Sequence, residues 1–190
     1  SAGVFINEYD ALTLDNVGPV SVSRVLADGS SINPDSTESV VIDSRQSRAV
    51  TGGTGSIVIE AGSLIANPDG DAQNVAVSAV GSGNVRLQAR GDNDTDGNLD
   101  VRGLVRGGSG HISLLAAGDV NLAGLDNVLN TTSDTSIEVD AGWDIVMAAD
   151  ATVTSVGNGN VRLEAGRDIQ LASINVGASS AAGKVALVAA

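Results

Sequence analysis

The chain has no cysteine, three prolines, one histidine, one methionine and three aromatic residues (Phe5, Tyr9 and Trp143) among its 190 residues. Without cysteine there is no disulfide framework and no thiolate metal site. With one histidine, His111, there is no material for a multi-histidine metal centre, and a nucleophile–His triad would have to be built on that residue alone. So few aromatics leave no stacking run for bases and almost no platform for sugars, and the core must be made from Val, Ile, Leu and Ala. Basic residues are scarce as well: ten Lys and Arg against 23 Asp and Glu give a net charge of −13. Such a surface repels nucleic acid and anionic membrane faces. No apolar run approaches the ~18 residues of a membrane span, which argues against membrane insertion.

What is present is a repeat. Gly55-Ser-Ile-Val-Ile-Glu-Ala61, Gly83-Asn-Val-Arg-Leu-Gln-Ala89 and Gly110-His-Ile-Ser-Leu-Leu-Ala116 are copies of one pattern. Thr135-Ser-Ile-Glu-Val-Asp-Ala141, Gly159-Asn-Val-Arg-Leu-Glu-Ala165 and Gly183-Lys-Val-Ala-Leu-Val-Ala189 continue it. Their first positions are 28, 27, 25, 24 and 24 residues apart. A near-constant period of this size marks a solenoid.

Within each copy the apolar residues alternate, as Val85, Leu87 and Ala89 do against Arg86 and Gln88. That is a strand with one buried face. A glycine corner follows, then a second alternating piece (Val120-Asn-Leu122, Ile145-Val-Met147, Ile169-Gln-Leu171). A third closes the unit (Leu125-Asp-Asn-Val128, Ile174-Asn-Val176). Three strands and three corners predict one coil of a right-handed parallel β-helix, with about 24–28 residues per coil and seven or eight coils. An antiparallel sandwich would not repeat one strand six times at a fixed spacing. The prediction is a single all-β solenoid over 1–190, irregular over 1–52 and regular over 53–190. In the irregular part, Gly3 to Leu14 reads as strand, corner, strand. Val20-Ser-Val22 and Val40-Val-Ile42 read as the first strands of two further coils, and Asp28 to Ser39 as a protruding loop. A start at Ser1 and a stop at Ala190 inside a repeat suggest a piece of something longer.

The sharpest local chemistry is the run Asp92-Asn-Asp94-Thr-Asp96-Gly-Asn98-Leu-Asp100, inserted where neighbouring units pass straight from the corner to the second strand. Oxygen ligands at alternate positions with a glycine turn suit calcium. Asp92, Asp94, Asp96, Asn98 and Asp100 are the candidate ligands, although Gly103 stands where a calcium loop would carry its bidentate Glu. A solvated loop is the plain alternative. Arg90-Gly-Asp92 spells the tripeptide that integrins read, and the corner explains it without a receptor. Asp119, Asp144 and Asp168 form a like-charged column, tolerable if each carboxylate caps its own turn by accepting a backbone N–H; a shared metal or a catalytic dyad is the alternative. Trp143, in a corner slot held elsewhere by Gly118 or Arg167, is a candidate recognition residue, with packing as the alternative. Glu138 and Arg162 should be neighbours on adjacent coils. No residue set predicts catalysis.

The units Gly110 to Leu122 and Gly159 to Leu171 resemble the repeats of the filamentous haemagglutinin family, long secreted right-handed β-helical adhesins of Gram-negative bacteria. The opening Phe5 to Leu14 resembles units of giant bacterial surface proteins. The likeness covers 53–190 well and the start loosely. It implies a non-enzymatic shaft segment of an extracellular or cell-surface adhesin or fibre; an unpaired strand edge at the end of such a rod would let it join end to end with itself or with flanking repeats. The alternatives are a carbohydrate- or receptor-binding module that meets a host or surface glycan or protein, and a polysaccharide-degrading enzyme on the same fold. The enzyme would require Asp92–Asp100, Trp143 and the aspartate column to share one side of the rod, whereas the binding module is favoured if Trp143 is exposed beside an outward apolar column.

Overall fold

The computed structural model describes residues 3–15, 20–22, 24–25, 27–32, 41–43, 48–68, 72–92, 95–124, 126–132, 134–177 and 183–190. The first coil contains β1 (Val4–Asn7) and β2 (Leu12–Leu14). An excursion follows with β3 (Val20–Val22), β4 (Arg24–Val25), β5 (Ser31–Ile32) and β6 (Val41–Asp43), and β7 (Ala49–Thr51) closes the coil. The second coil is β8 (Ile57–Ala61), β9 (Leu64–Ala66) and β10 (Val75–Ala79). The third is β11 (Val85–Ala89), β12 (Leu99–Val101) and β13 (Leu104–Arg106). The fourth is β14 (Ile112–Ala116), β15 (Val120–Leu122) and β16 (Asp126–Thr131). The fifth is β17 (Ile137–Ala141), β18 (Ile145–Met147) and β19 (Ala151–Ser155). The sixth is β20 (Val161–Ala165), β21 (Ile169–Gln170) and β22 (Ser173–Val176), and β23 (Val185–Ala189) opens a seventh.

These strands stack into three parallel sheets of seven, six and six strands. The molecule is a β-solenoid of six three-stranded coils and one further strand, fewer than the seven or eight coils expected. The difference lies in the excursion. β3 pairs antiparallel with β6, and β4 with β5. Val20-Ser-Val22 and Val41-Ile42 therefore belong to a hairpin-like insert in the first coil and not to coils of their own; Val40 lies outside the described residues. At the turn between β4 and β5, the Ser30 hydroxyl and amide both donate to Asp28 Oδ1, at 2.6 and 2.9 Å. Those bonds hold the Asp28 carboxyl below its ordinary value.

The first sheet pairs in unbroken register from Val4 through Ile57, Val85, Ile112, Ile137 and Val161 to Val185. Two residues on, Ile6, Ile59, Leu87, Leu114, Val139, Leu163 and Leu187 form a second column in the same register. From Ile57 to Leu163 both columns are sealed from water. Leu64, Leu99, Val120 and Ile145 line the second sheet and Val77, Val105, Leu129 and Val153 the third. Each coil rises about 4.8 Å, so a side chain packs on its counterpart above and below. Burying each such Leu or Ile is worth about 1.5–3 kcal/mol, and only the stack as a whole can bury them. The third strand of the fourth coil departs from expectation. Its register shifts between Asn127 and Leu129, which makes Leu129 the core residue.

Buried hydroxyls close the corner that leads back to the first sheet. Thr51 Oγ1 donates to the Gly55 carbonyl at 2.5 Å, and Ser155 Oγ to the Thr135 carbonyl at 2.9 Å. They satisfy carbonyls that no strand reaches.

Candidate functional site

The acidic loop, Trp143 and the aspartate column all lie at one corner, between the first and second sheets. Its backbone is a stack of close-packed turns. Gly91 N–H donates to the Gly62 carbonyl at 2.9 Å, and Gly118 N–H to the Gly97 carbonyl at 3.0 Å. Above them Trp143 N–H donates to Gly118 and Arg167 N–H to Trp143. Gly91 and Gly97 thus divide between them the place that one residue fills in other coils. Both have φ of +67°, and a Cβ on Gly97 would lie 2.8 Å from the Gly91 Cα. The loop between them leaves the coil and returns to the same point. That is why Leu99 still pairs with Leu64 below and Val120 above despite the inserted residues.

Of the five candidate ligands, Asp94 lies outside the described residues. Asp92 Oδ2, the Thr95 hydroxyl and the Tyr9 carbonyl oxygen gather within 3.0 Å of the point a Cβ on Gly62 would occupy. Asp96 is exposed on the loop. Asn98 and Asp100 have other work. Asn98 Oδ1 accepts the Asp119 N–H at 2.8 Å, and the Asn98 carbonyl accepts from Leu64 at 3.0 Å. Asp100, on the outer face of the second sheet, accepts from Arg102 at 2.9 Å and from the Asn121 amide at 2.8 Å. Among the described residues no three acidic or histidine side chains converge on a position for a metal ion.

Asn98 begins a ladder that the sequence hinted at only in part. Asp119 Oδ1 accepts the Asp144 N–H at 3.0 Å, and Asp144 Oδ1 accepts the Asp168 N–H at 3.1 Å. Each side chain caps the turn of the following coil and not its own. The charge this column accumulates is met by Arg167, whose Nε and guanidinium nitrogen donate to Asp144 at 3.1 and 2.7 Å. Arg167 also stands 3.6 Å from Asp119 and lies over the Trp143 ring, 5.3 Å from its centre. Trp143 is therefore half-exposed with an arginine against its ring, a packed arrangement with a free edge. Sequence reasoning missed Arg167; its slot directly above Trp143 was the available signal.

Arg90 is held in the same way. It donates to Asn7 Oδ1 at 2.8 Å and to the Glu8 carbonyl at 2.9 Å, which ties the third coil to the first. The Arg90-Gly-Asp92 tripeptide is thus engaged in the corner. Glu138 and Arg162 do meet across coils, at 3.5 Å with both well exposed, worth a few tenths of a kcal/mol.

A second ladder runs up the corner between the third and first sheets. Ser56 Oγ accepts the Asn84 N–H at 3.1 Å and Asn84 Oδ1 the His111 N–H at 2.9 Å. His111 Nδ1 then accepts the Ser136 N–H at 3.0 Å, and Asn160 Oδ1 the Lys184 N–H at 3.0 Å. The recurrence of short polar residues at the start of the repeat was the sequence signal for it. Two open cavities lie away from the acidic corner. One of about 400 Å³ opens at the first coil beside Val4, Ile6 and Leu14, and one of about 390 Å³ lies beside His111.

The fold and these ladders define the chain as a β-solenoid repeat protein. Compared with known proteins, it matches no family model, no curated protein and no solved structure. Among the described residues no helix is long and apolar enough to cross a membrane.

Proposed function

We propose that the chain is a non-enzymatic shaft segment of an extracellular or bacterial cell-surface adhesin or fibre, whose coils continue those of flanking repeats or of another copy. One observation carries this reading. The side chains that distinguish one repeat from a generic strand are engaged in holding coil to coil: apolar columns inside, Asn98–Asp119–Asp144–Asp168 at one corner and Ser56–Asn84–His111–Ser136 at another. Columns that run in register resist bending, and a net charge of −13 keeps such rods apart. The resemblance of the repeat to filamentous haemagglutinin units supports the same setting.

Calcium on the Asp92–Asp100 loop belongs to this proposal as a stiffener. The oxygens gathered over Gly62 favour it, and the engagement of Asn98 and Asp100 narrows its ligands to Asp92, Asp94 and Asp96 with neighbouring carbonyls. A second reading, a glycan- or protein-binding corner, is favoured by the half-exposed Trp143 at that corner.

Electron microscopy of the purified chain, with calcium and with a chelator, tests the first reading. Rods joined end to end are expected, and their loss on chelation would implicate the loop. Dispersed single particles in both conditions, together with glycan binding that Trp143→Ala abolishes, would replace the shaft by the binding module.

A further inference from the structure

In the ladder between the third and first sheets, one rung differs in kind from the rest. Ser56, Asn84 and Asn160 present hydroxyl or amide oxygens to the next coil, and these accept at any ordinary pH. His111 presents a ring nitrogen. Because Nδ1 accepts the Ser136 N–H at 3.0 Å, it must carry no hydrogen, and the ring's proton sits on Nε2. An imidazolium has hydrogen on both nitrogens and accepts nothing. Protonation would set one N–H against another and remove the bond that links the fourth coil to the fifth.

The surroundings give the charged ring somewhere to go. His111 borders the cavity of about 390 Å³ with Ser113, Ser136, Glu138, Asn160 and Arg162. Glu138 is the one carboxylate among these residues and favours the imidazolium. Arg162, paired with Glu138 at 3.5 Å, opposes it. On the coil below, Arg86 opposes it also, and Asn84 is neutral; Arg86 stands opposite Ser113 in the neighbouring column.

We infer that His111 is a pH-sensitive rung: neutral, it locks the fourth coil to the fifth, and protonated, it releases the Ser136 amide and turns toward Glu138, loosening the rod at that level. The bond is present while the ring is neutral and is lost when the ring takes up a second proton.

The repeat itself supplies the control, since Asn84 and Asn160 occupy the same slot. Wild type and His111→Asn should melt together at pH 7.5. At pH 5 wild type should melt about 2–4 °C below the variant, the shift expected for one hydrogen bond in a chain of this length. Amide exchange on wild type gives a local readout that needs no variant. The Ser136 protection factor should drop severalfold between pH 7.5 and 5 while that of the His111 amide, held by Asn84, stays level. Nitrogen NMR should find Nδ1 unprotonated at pH 7.5. Parallel melting curves for the two proteins with unchanged Ser136 protection would overturn the inference, as would a protonated Nδ1 at pH 7.5.

Discussion

Replacing Asp144 tests whether the corner ladder acts through hydrogen bonds or through charge. Its Oδ1 accepts the Asp168 N–H and the Arg167 Nε, both at 3.1 Å, and Oδ2 takes the second guanidinium bond at 2.7 Å. The backbone bond is part of the stack and is worth about 1–1.5 kcal/mol. The arginine pair involves a side chain more than half exposed, so it contributes about 0.5 kcal/mol after screening. Freeing Arg167 also weakens its contact with Trp143, worth about 0.5–1 kcal/mol. Asp144→Ala should therefore cost about 2–3 kcal/mol, or roughly 4–12 °C in Tm at about 2–4 °C per kcal/mol for this chain length. Asp144→Asn keeps an acceptor for Asp168 and should cost about 1–1.5 kcal/mol, the share that belongs to the charge. Both variants relieve repulsion from Asp119 and Asp168 equally, so the gap between them isolates the hydrogen bond. Thermal melts at low salt and in 1 M salt (Debye length about 3 Å) would measure it. The asparagine cost should shrink with salt and the alanine–asparagine gap should not. Equal Tm values for the two variants, or a gap that salt removes, would refute the ladder as a hydrogen-bonded device.

Two other substitutions probe the interior. Leu163→Ala empties a fully buried site within the second apolar column and should cost about 2–5 kcal/mol. The same change at Leu187, 47% exposed in the last strand, should cost less than about 1 kcal/mol; denaturant titration of the pair checks the contrast. Thr135 stands where five other repeats have glycine, and its hydroxyl is buried without a hydrogen-bond partner among the described residues. Thr135→Val keeps the shape and removes the stranded group, so Tm should rise by about 2–4 °C.

The parts of this structure that could be read from sequence are those that every coil must share. Val85, Leu87 and Ala89 recur because each must sit on its counterpart, and the pairing follows the repeat residue for residue. Val20-Ser-Val22 misled because alternation is identical in a coil strand and in a hairpin. Only the company a strand keeps separates the two, and its partner proved to be β6, running the other way. Leu129 lies just past the expected third piece, Leu125 to Val128, where the register shifts in the least regular strand of the repeat. At the acidic corner, the stacking of Asp119, Asp144 and Asp168 was legible, but the direction of their bonds was not. A carboxylate can cap its own turn or the next, and the close approach of successive coils decides it. Arg167 and Arg90 bind residues 23 and 83 positions away, separations no local pattern encodes.

The loop pinched between Gly91 and Gly97 has an implication for how such a molecule diversifies. Because the chain leaves and returns at a single point, residues can be inserted between those glycines without shifting the strand that follows: Leu99 keeps the partners it would have with no loop at all. The segment between β2 and β7 does the same on a larger scale, with Leu14 and Ala49 in place on either side of it. Corners of this kind are ports at which new cargo can be grafted and selected freely, while the chassis beneath is inherited unchanged.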